Sequence, residues 1–129
     1  MVPVTAFYGS LMAVLILYLA GRVALCRKKN KIGLGDGGNR ELNVLIRAHA
    51  NAVENGLITV LLMLFAELNG LAALHLHTIG ILLLGSRLAH AQGFIASNGT
   101  YAPGRFYGII VNWLLILVLV VINVVLNFL

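Results

Sequence analysis

The stretch FYGIIVNWLLILVLVVINVVLNFL, residues 106–129, contains no Asp, Glu, Lys, Arg or His. A helix rising about 1.5 Å per residue needs about 20 apolar residues to cross a hydrocarbon layer about 30 Å thick, and this stretch is long enough to cross with some tilt. In lipid every backbone amide must find its partner within the segment, so the span is expected to be an α-helix. The fold then depends on how many such segments the chain has and how they are joined.

At the other end, Met1 to Gly21 is also free of charge, and the cations Arg22, Arg27, Lys28, Lys29 and Lys31 follow it as a block. A cleavable signal peptide places its positive charge ahead of a shorter apolar core, so this segment reads as a retained helix. Two less uniform spans lie between. Arg40 to Leu68 has an apolar second half, Leu57 to Ala66, but Arg40, Glu41, Arg47, His49, Asn51 and Glu54 occupy its first half. Leu71 to Ile95 is free of formal charge until Arg87, with His90 one turn later. Asn69-Gly70 and the run Asn98 to Gly104 supply the turns between spans. The expected architecture is all-α, a single domain over residues 1–129, forming an integral membrane four-helix up-down bundle with helices over about 3–26, 40–68, 71–97 and 104–128.

Composition agrees with a bilayer protein. Hydrophobic residues make up 60% and charged residues 10% of the chain, against roughly 45–50% and 25% in soluble domains. Disordered, collagen-like and disulfide-rich classes are excluded, and the single Cys26 has no internal partner. All nine Lys and Arg fall in or beside the first and third connections. The positive-inside rule makes that side cytoplasmic and both termini extracytoplasmic, in a multi-pass protein of the cell inner membrane if the source is bacterial. The basic excess therefore reflects topology, and nucleic acid is not an expected partner.

Three groups of polar residues need more than topology. At 100° per residue Arg40, Asn43, Arg47, Asn51 and Glu54 share an arc of about 80°, which continues with depth as Ile58, Leu61 and Phe65. Arg87, His90 and Phe94 share about 60° of the third helix, and Arg105 opens the fourth beside Tyr101 and Tyr107. Ionisable groups near hydrocarbon cost several kcal/mol unless paired or hydrated, so they face the protein and mark sites. An excess of guanidinium over Glu54 calls for an anion. Arginine forks suit carboxylates, and a glutamate among them accepts an ammonium group. The implied ligand is small, carries carboxylates and an amine, and sits next to an apolar slot.

The run Arg47-Ala48-His49-Ala50-Asn51-Ala52-Val53-Glu54, then Arg87-Leu88-Ala89-His90 and Ala102-Pro103-Gly104-Arg105, resembles the MAPEG superfamily, the membrane-associated proteins in eicosanoid and glutathione metabolism. Gly35-Asp36-Gly37-Gly38 is similar to its small bacterial members. The resemblance implies a homotrimer with glutathione as co-substrate between subunits, and a lipophilic small molecule arriving from the lipid bilayer. It implies glutathione contacts at Arg47, Asn51, Glu54, Arg87 and His90, with Arg105 as the catalytic residue that stabilises the thiolate. Tyr101 and Tyr107 are further candidates to hydrogen-bond the sulfur.

The chain also departs from the family pattern. Ala50 stands where eicosanoid-forming members have a second arginine, Phe94 where they have a tyrosine, and Phe106 where the prostaglandin enzyme has a serine. Leu57 replaces a proline found in many relatives, and Arg22 lies only near the family's helix 1 arginine. Two readings stay open: a glutathione transferase or peroxidase, and a non-catalytic membrane protein that binds glutathione or another small anion or serves as a structural trimer.

Other features are assigned no chemistry. His75 and His77 fall on different helix faces, so no metal site is expected. The glycine run Gly33 to Gly38 follows a membrane span rather than a strand and reads as a turn. Asn112 and Asn123 are expected to hydrogen-bond to neighbouring helices. A four-helix exporter needs a buried acidic residue in its first helix, and this chain has none there.

Overall fold

A computed structural model describes residues 1–128 and contains four α-helices: α1 (Pro3–Asn30), α2 (Arg40–Leu68), α3 (Ala73–Ala96) and α4 (Pro103–Phe128). Leu129, the last residue of the fourth expected span, lies outside the described residues. All four helices are long and apolar enough to cross a membrane. α1 runs about one turn past the expected boundary. Arg27, Lys28 and Lys29 favour the negative end of the helix dipole, and Lys31 closes the helix in the left-handed conformation at φ 54°.

The starts of α1 and α2 each have a side-chain partner for their spare backbone groups. Val2, at the start of α1, offers no capping side chain. Glu67, near the far end of α2, takes that role: its two carboxylate oxygens accept from the Val4 and Thr5 amides at 3.0 and 2.7 Å. A carboxylate there both satisfies orphan donors and meets the positive end of the dipole. α2 begins conventionally, with the Asn39 side chain accepting from the Leu42 amide at 2.9 Å. Asp36, in the preceding loop, accepts from the Asn43 side-chain amide and from the Gly38 N–H, which hold its carboxyl below the usual carboxylate range.

Consecutive helices pack against one another, and α2 also touches α4 while α1 touches α3. The order around the bundle is therefore α1, α2, α4, α3, with α2 reaching across to α3. Met12, Leu19, Met63, Leu83 and Leu119 fill the centre. Lipid provides no hydrophobic force between helices, so close packing and interhelical hydrogen bonds must hold them. Both occur here. A Cβ placed on Gly93 would stand 2.5 Å from the Arg105 backbone nitrogen, and one on Gly108 would stand 2.6 Å from the Ser86 carbonyl oxygen. α3 and α4 thus meet backbone to backbone. Asn112 donates to the Thr59 hydroxyl at 2.8 Å and Asn123 to the Leu62 carbonyl at 3.0 Å, the links to a neighbouring helix that the sequence leads one to expect.

Replacing Gly108 by Ala is expected to destabilise the bundle by about 1–3 kcal/mol, because the added methyl meets backbone that cannot yield. Gly85→Ala, at a helical glycine with nothing within 4 Å, is expected to be neutral. Thermal unfolding of both variants in detergent micelles checks the contrast.

Candidate functional site

The polar stripe of α2 does not face the core of the four-helix bundle. The buried side of α2 is formed by Leu42, Val44, Leu45, Ala48, Ala52, Gly56, Thr59, Met63 and Ala66, centred about 140° from the stripe. Arg47 and Glu54 are consequently exposed on the protomer, and only Asn51, at the edge of the stripe, turns partly inward.

Asn51 meets Arg87. The Arg87 side chain leaves α3 inside the bundle and is only 1% exposed. One guanidinium nitrogen donates to Asn51 Oδ1 at 3.3 Å and the other to the Gly108 carbonyl of α4 at 2.7 Å, while Nε has no partner. The Asn55 side-chain amide also donates to Asn51 Oδ1, at 3.1 Å, and Asn55 in turn accepts from the Trp113 indole at 3.2 Å. With its oxygen held by two donors, the Asn51 amide cannot flip without losing both. Its Nδ2 is the group left to offer a ligand. Asn51 therefore presents a donor, which suits a carboxylate or carbonyl.

Asn51 lines a cavity of about 470 Å³ together with His90, Thr100, Tyr101, Arg105 and Phe106, among others. Arg105 stands on its loop-side wall. Its NH1 donates to the carbonyls of Gly99 and Thr100 at 2.8 and 3.0 Å, and its guanidinium carbon lies 4.2 Å from the centre of the Phe94 ring. The 3–4 loop that supplies those carbonyls is self-braced. Ser97 Oγ donates to the Thr100 carbonyl at 2.9 Å, Thr100 Oγ1 returns a bond to the Ser97 carbonyl at 2.8 Å, and Gly99 takes φ 81°. Arg40 ties the same loop to α2 through the Asn98 carbonyl at 3.1 Å. His90 is buried, its ring centre 6.0 Å from that of Phe94.

The structure thus gathers Asn51, His90, Tyr101 and Arg105 around one cavity. Arg87 stands behind Asn51 rather than in the cavity wall. Tyr107 is exposed and packs edge-on against Phe106 at 5.4 Å, and Arg47 and Glu54 lie on the outer surface of α2. Asn55, Trp113 and Thr100, which hold these side chains in place, are absent from the sequence-derived set. The spacing of Asn55 four residues after Asn51 is the signal that points to it, since residues so spaced are neighbours on a helix. Among the described residues no group of three or more His, Cys, Asp or Glu is placed to hold a metal ion.

The MAPEG family model matches residues 5–125, a range that takes in most of all four helices and every residue of this cavity. The chain belongs to the MAPEG family. It is 38% identical over 120 residues to the inner membrane protein YecN of Escherichia coli strain K12, an alignment covering 93% of this chain and 89% of that relative. The YecN protein of Escherichia coli O6:H1 strain CFT073 matches with the same identity and coverage. In this MAPEG chain the glycine contacts between α3 and α4 and the buried Arg87 set where the cavity lies, so fold and site share their supports.

Arg87→Ala is expected to cost about 3 kcal/mol of stability, because it opens a void and strips the Gly108 carbonyl and Asn51 of a buried donor. Arg87→Lys is not expected to restore it, since a single ammonium cannot reproduce the two-pronged reach. Thermal unfolding in micelles measures both, and the Trp113 emission spectrum reports whether the Asn51–Asn55–Trp113 chain is disturbed.

Proposed function

We propose that this chain is a multi-pass inner membrane enzyme of the glutathione transferase or peroxidase type, acting as a homotrimer with its site on the cytoplasmic side and both termini on the other. The observation that carries the reading is the cavity beside the Arg105 guanidinium and the Asn51 donor, which holds two cationic or donor groups and no carboxylate of its own. Family membership supports a glutathione site, and the name of the YecN relative supports the inner membrane.

The exposed stripe of α2 supports the assembly. Glu54 lies about 21 Å along the helix from each end, at Arg40 and at Leu68, and so falls within hydrocarbon about 30 Å thick. It is exposed on the protomer. A bare carboxylate at that depth costs several kcal/mol, and Arg47, two turns away, is too distant along the helix to neutralise it. A second copy of the chain and the ammonium group of glutathione supply the cover and the counter-charge. In this reading Arg47, Asn51 and Glu54 bind the charged ends of glutathione, Arg87 holds Asn51 and His90 shapes the cavity. Tyr101 and Tyr107 flank the sulfur.

The chemistry assigned to Arg105 is electrostatic. A thiol of ordinary pKa near 8.5 is mostly protonated at neutral pH, and a guanidinium in a poorly solvated cleft favours the thiolate. The thiolate attacks a lipophilic electrophile, forming a C–S bond as the leaving group departs with the electron pair. With a lipid hydroperoxide, two glutathione molecules give one disulfide, the alcohol and water. The electrophile reaches the cavity from the bilayer past Phe106 and Ile109.

One observation favours the non-catalytic alternative. The position facing Arg105 is the ring of Phe94, which has no hydroxyl to share with a sulfur, and NH1 of Arg105 is already committed to two loop carbonyls. Titration separates the readings. An enzyme is expected to show thiolate absorbance when glutathione is added to the purified protein at neutral pH, and turnover that falls about 10²-fold in Arg105→Ala, with its pH optimum moved to the alkaline side. Glutathione affinity without thiolate absorbance or turnover decides for a binding protein. Absence of both affinity and turnover removes glutathione from the account.

A further inference from the structure

A second feature lies away from this cavity, between α1 and α3, the most sparsely packed pair of touching helices. An apolar depression of about 440 Å³ is lined by Leu11, Val14, Leu15, Tyr18, Leu84 and Leu88. It runs on into a depression of about 240 Å³ that shares Leu15, Tyr18 and Leu88 and adds Arg22 and Gln92. An adjoining cleft is lined by Arg22, Lys29 and Glu41, among others, so two cations face one carboxylate there. On α1 the residues Leu11, Leu15, Tyr18, Arg22 and Lys29 fall within an arc of about 60°, so the groove has an apolar floor and a cationic end on a single helix face.

The guanidinium at that end is underused. Arg22 donates to the Tyr18 hydroxyl at 3.0 Å and lies 5.8 Å from the centre of that ring. A guanidinium has five donors, and one such bond leaves most of them available. The groove is also one leaflet deep. Leu11 to Arg22 spans about 16 Å along the helix, close to half of a hydrocarbon layer about 30 Å thick. A transmembrane helix of a second copy would need a groove of full membrane depth.

We propose that this groove is a site for one anionic phospholipid of the leaflet on the side of the first and third loops. One acyl chain lies along Leu11, Leu15, Leu84 and Leu88, and the phosphate sits against Arg22, with Lys29 and the Gln92 amide nearby. The site is independent of glutathione chemistry.

The test uses the full chain with a reporter tryptophan in the groove, Leu88→Trp in a Trp113→Phe background, reconstituted with brominated phosphatidylglycerol or brominated phosphatidylcholine. The expected result is stronger quenching by the anionic lipid, equivalent to about fivefold preference, the factor that one cation near an anionic surface supplies. Arg22→Gln is expected to abolish the preference and Arg22→Lys to retain most of it. Equal quenching by the two lipids, or a preference unchanged in Arg22→Gln, overturns the proposal. So does a tryptophan that neither lipid quenches, which places another copy of the chain in the groove. Native mass spectrometry of the unsubstituted chain with the same two lipids, unbrominated, reads the preference without any mutation. Failure to retain phosphatidylglycerol over phosphatidylcholine there also overturns it.

Discussion

Arg87 sends its guanidinium from α3 into the bundle, where one nitrogen reaches Asn51 of α2 and another the Gly108 carbonyl of α4. A charge enclosed in this way is tolerated only with partners on several sides, and here they come from the two neighbouring helices α2 and α4. The reach requires α4 to lie close to α3, and that closeness rests on Gly93, Gly104 and Gly108, where any side chain would collide with backbone. The same contacts bring the Arg105 backbone against Gly93. Bundle packing and the cavity wall are thus one arrangement, and loosening the α3–α4 seam displaces both arginines together.

Polar groups elsewhere in the bundle follow the same logic on a smaller scale. Asn112 on Thr59 and Asn123 on the Leu62 carbonyl are polar side chains that close bonds inside the bundle, and Glu67 does the same for the amides at the start of α1. Asn51 differs because its oxygen is doubly held while the residue lines a cavity and its nitrogen has no partner among these bonds. A side chain held on one atom and open on the other is oriented in advance for a ligand.

The spans were legible because length and apolarity alone decide them, and the residues that collect around the cavity were legible because ionisable groups at membrane depth have few other uses. The direction of the α2 stripe was not. Which side of α2 is buried depends on where Ala48, Ala52, Gly56 and Thr59 let other helices approach, and a helical wheel of α2 marks the stripe without saying what lies against it. Glu67 was unreadable for a different reason: its partners, Val4 and Thr5, lie more than sixty positions away in sequence. The extra turn of α1 was misjudged because the cations after Cys26 look like a loop, although they also suit the end of a helix dipole.

The chain's nine cations can now be divided by the work they do. Lys28, Lys29 and Lys31, with Arg27 on the Gly35 carbonyl, close α1 and its loop, and Arg40 fastens the two loops to each other. Arg87 joins α3 to Asn51 and to the Gly108 carbonyl through two of its nitrogens, with Nε unpartnered. Arg47, Arg105 and Arg22 remain: Arg47 is exposed, Arg105 lines a cavity with no carboxylate, and Arg22 stands at the end of the apolar groove, where an adjoining cleft also holds Lys29 and Glu41. A guanidinium near hydrocarbon is stabilised by an anion or by reaching the headgroup region. The arginines at the cavity and on the α2 stripe point to a small soluble anion, whereas Arg22, at the end of an apolar groove one leaflet long, points to the lipid itself.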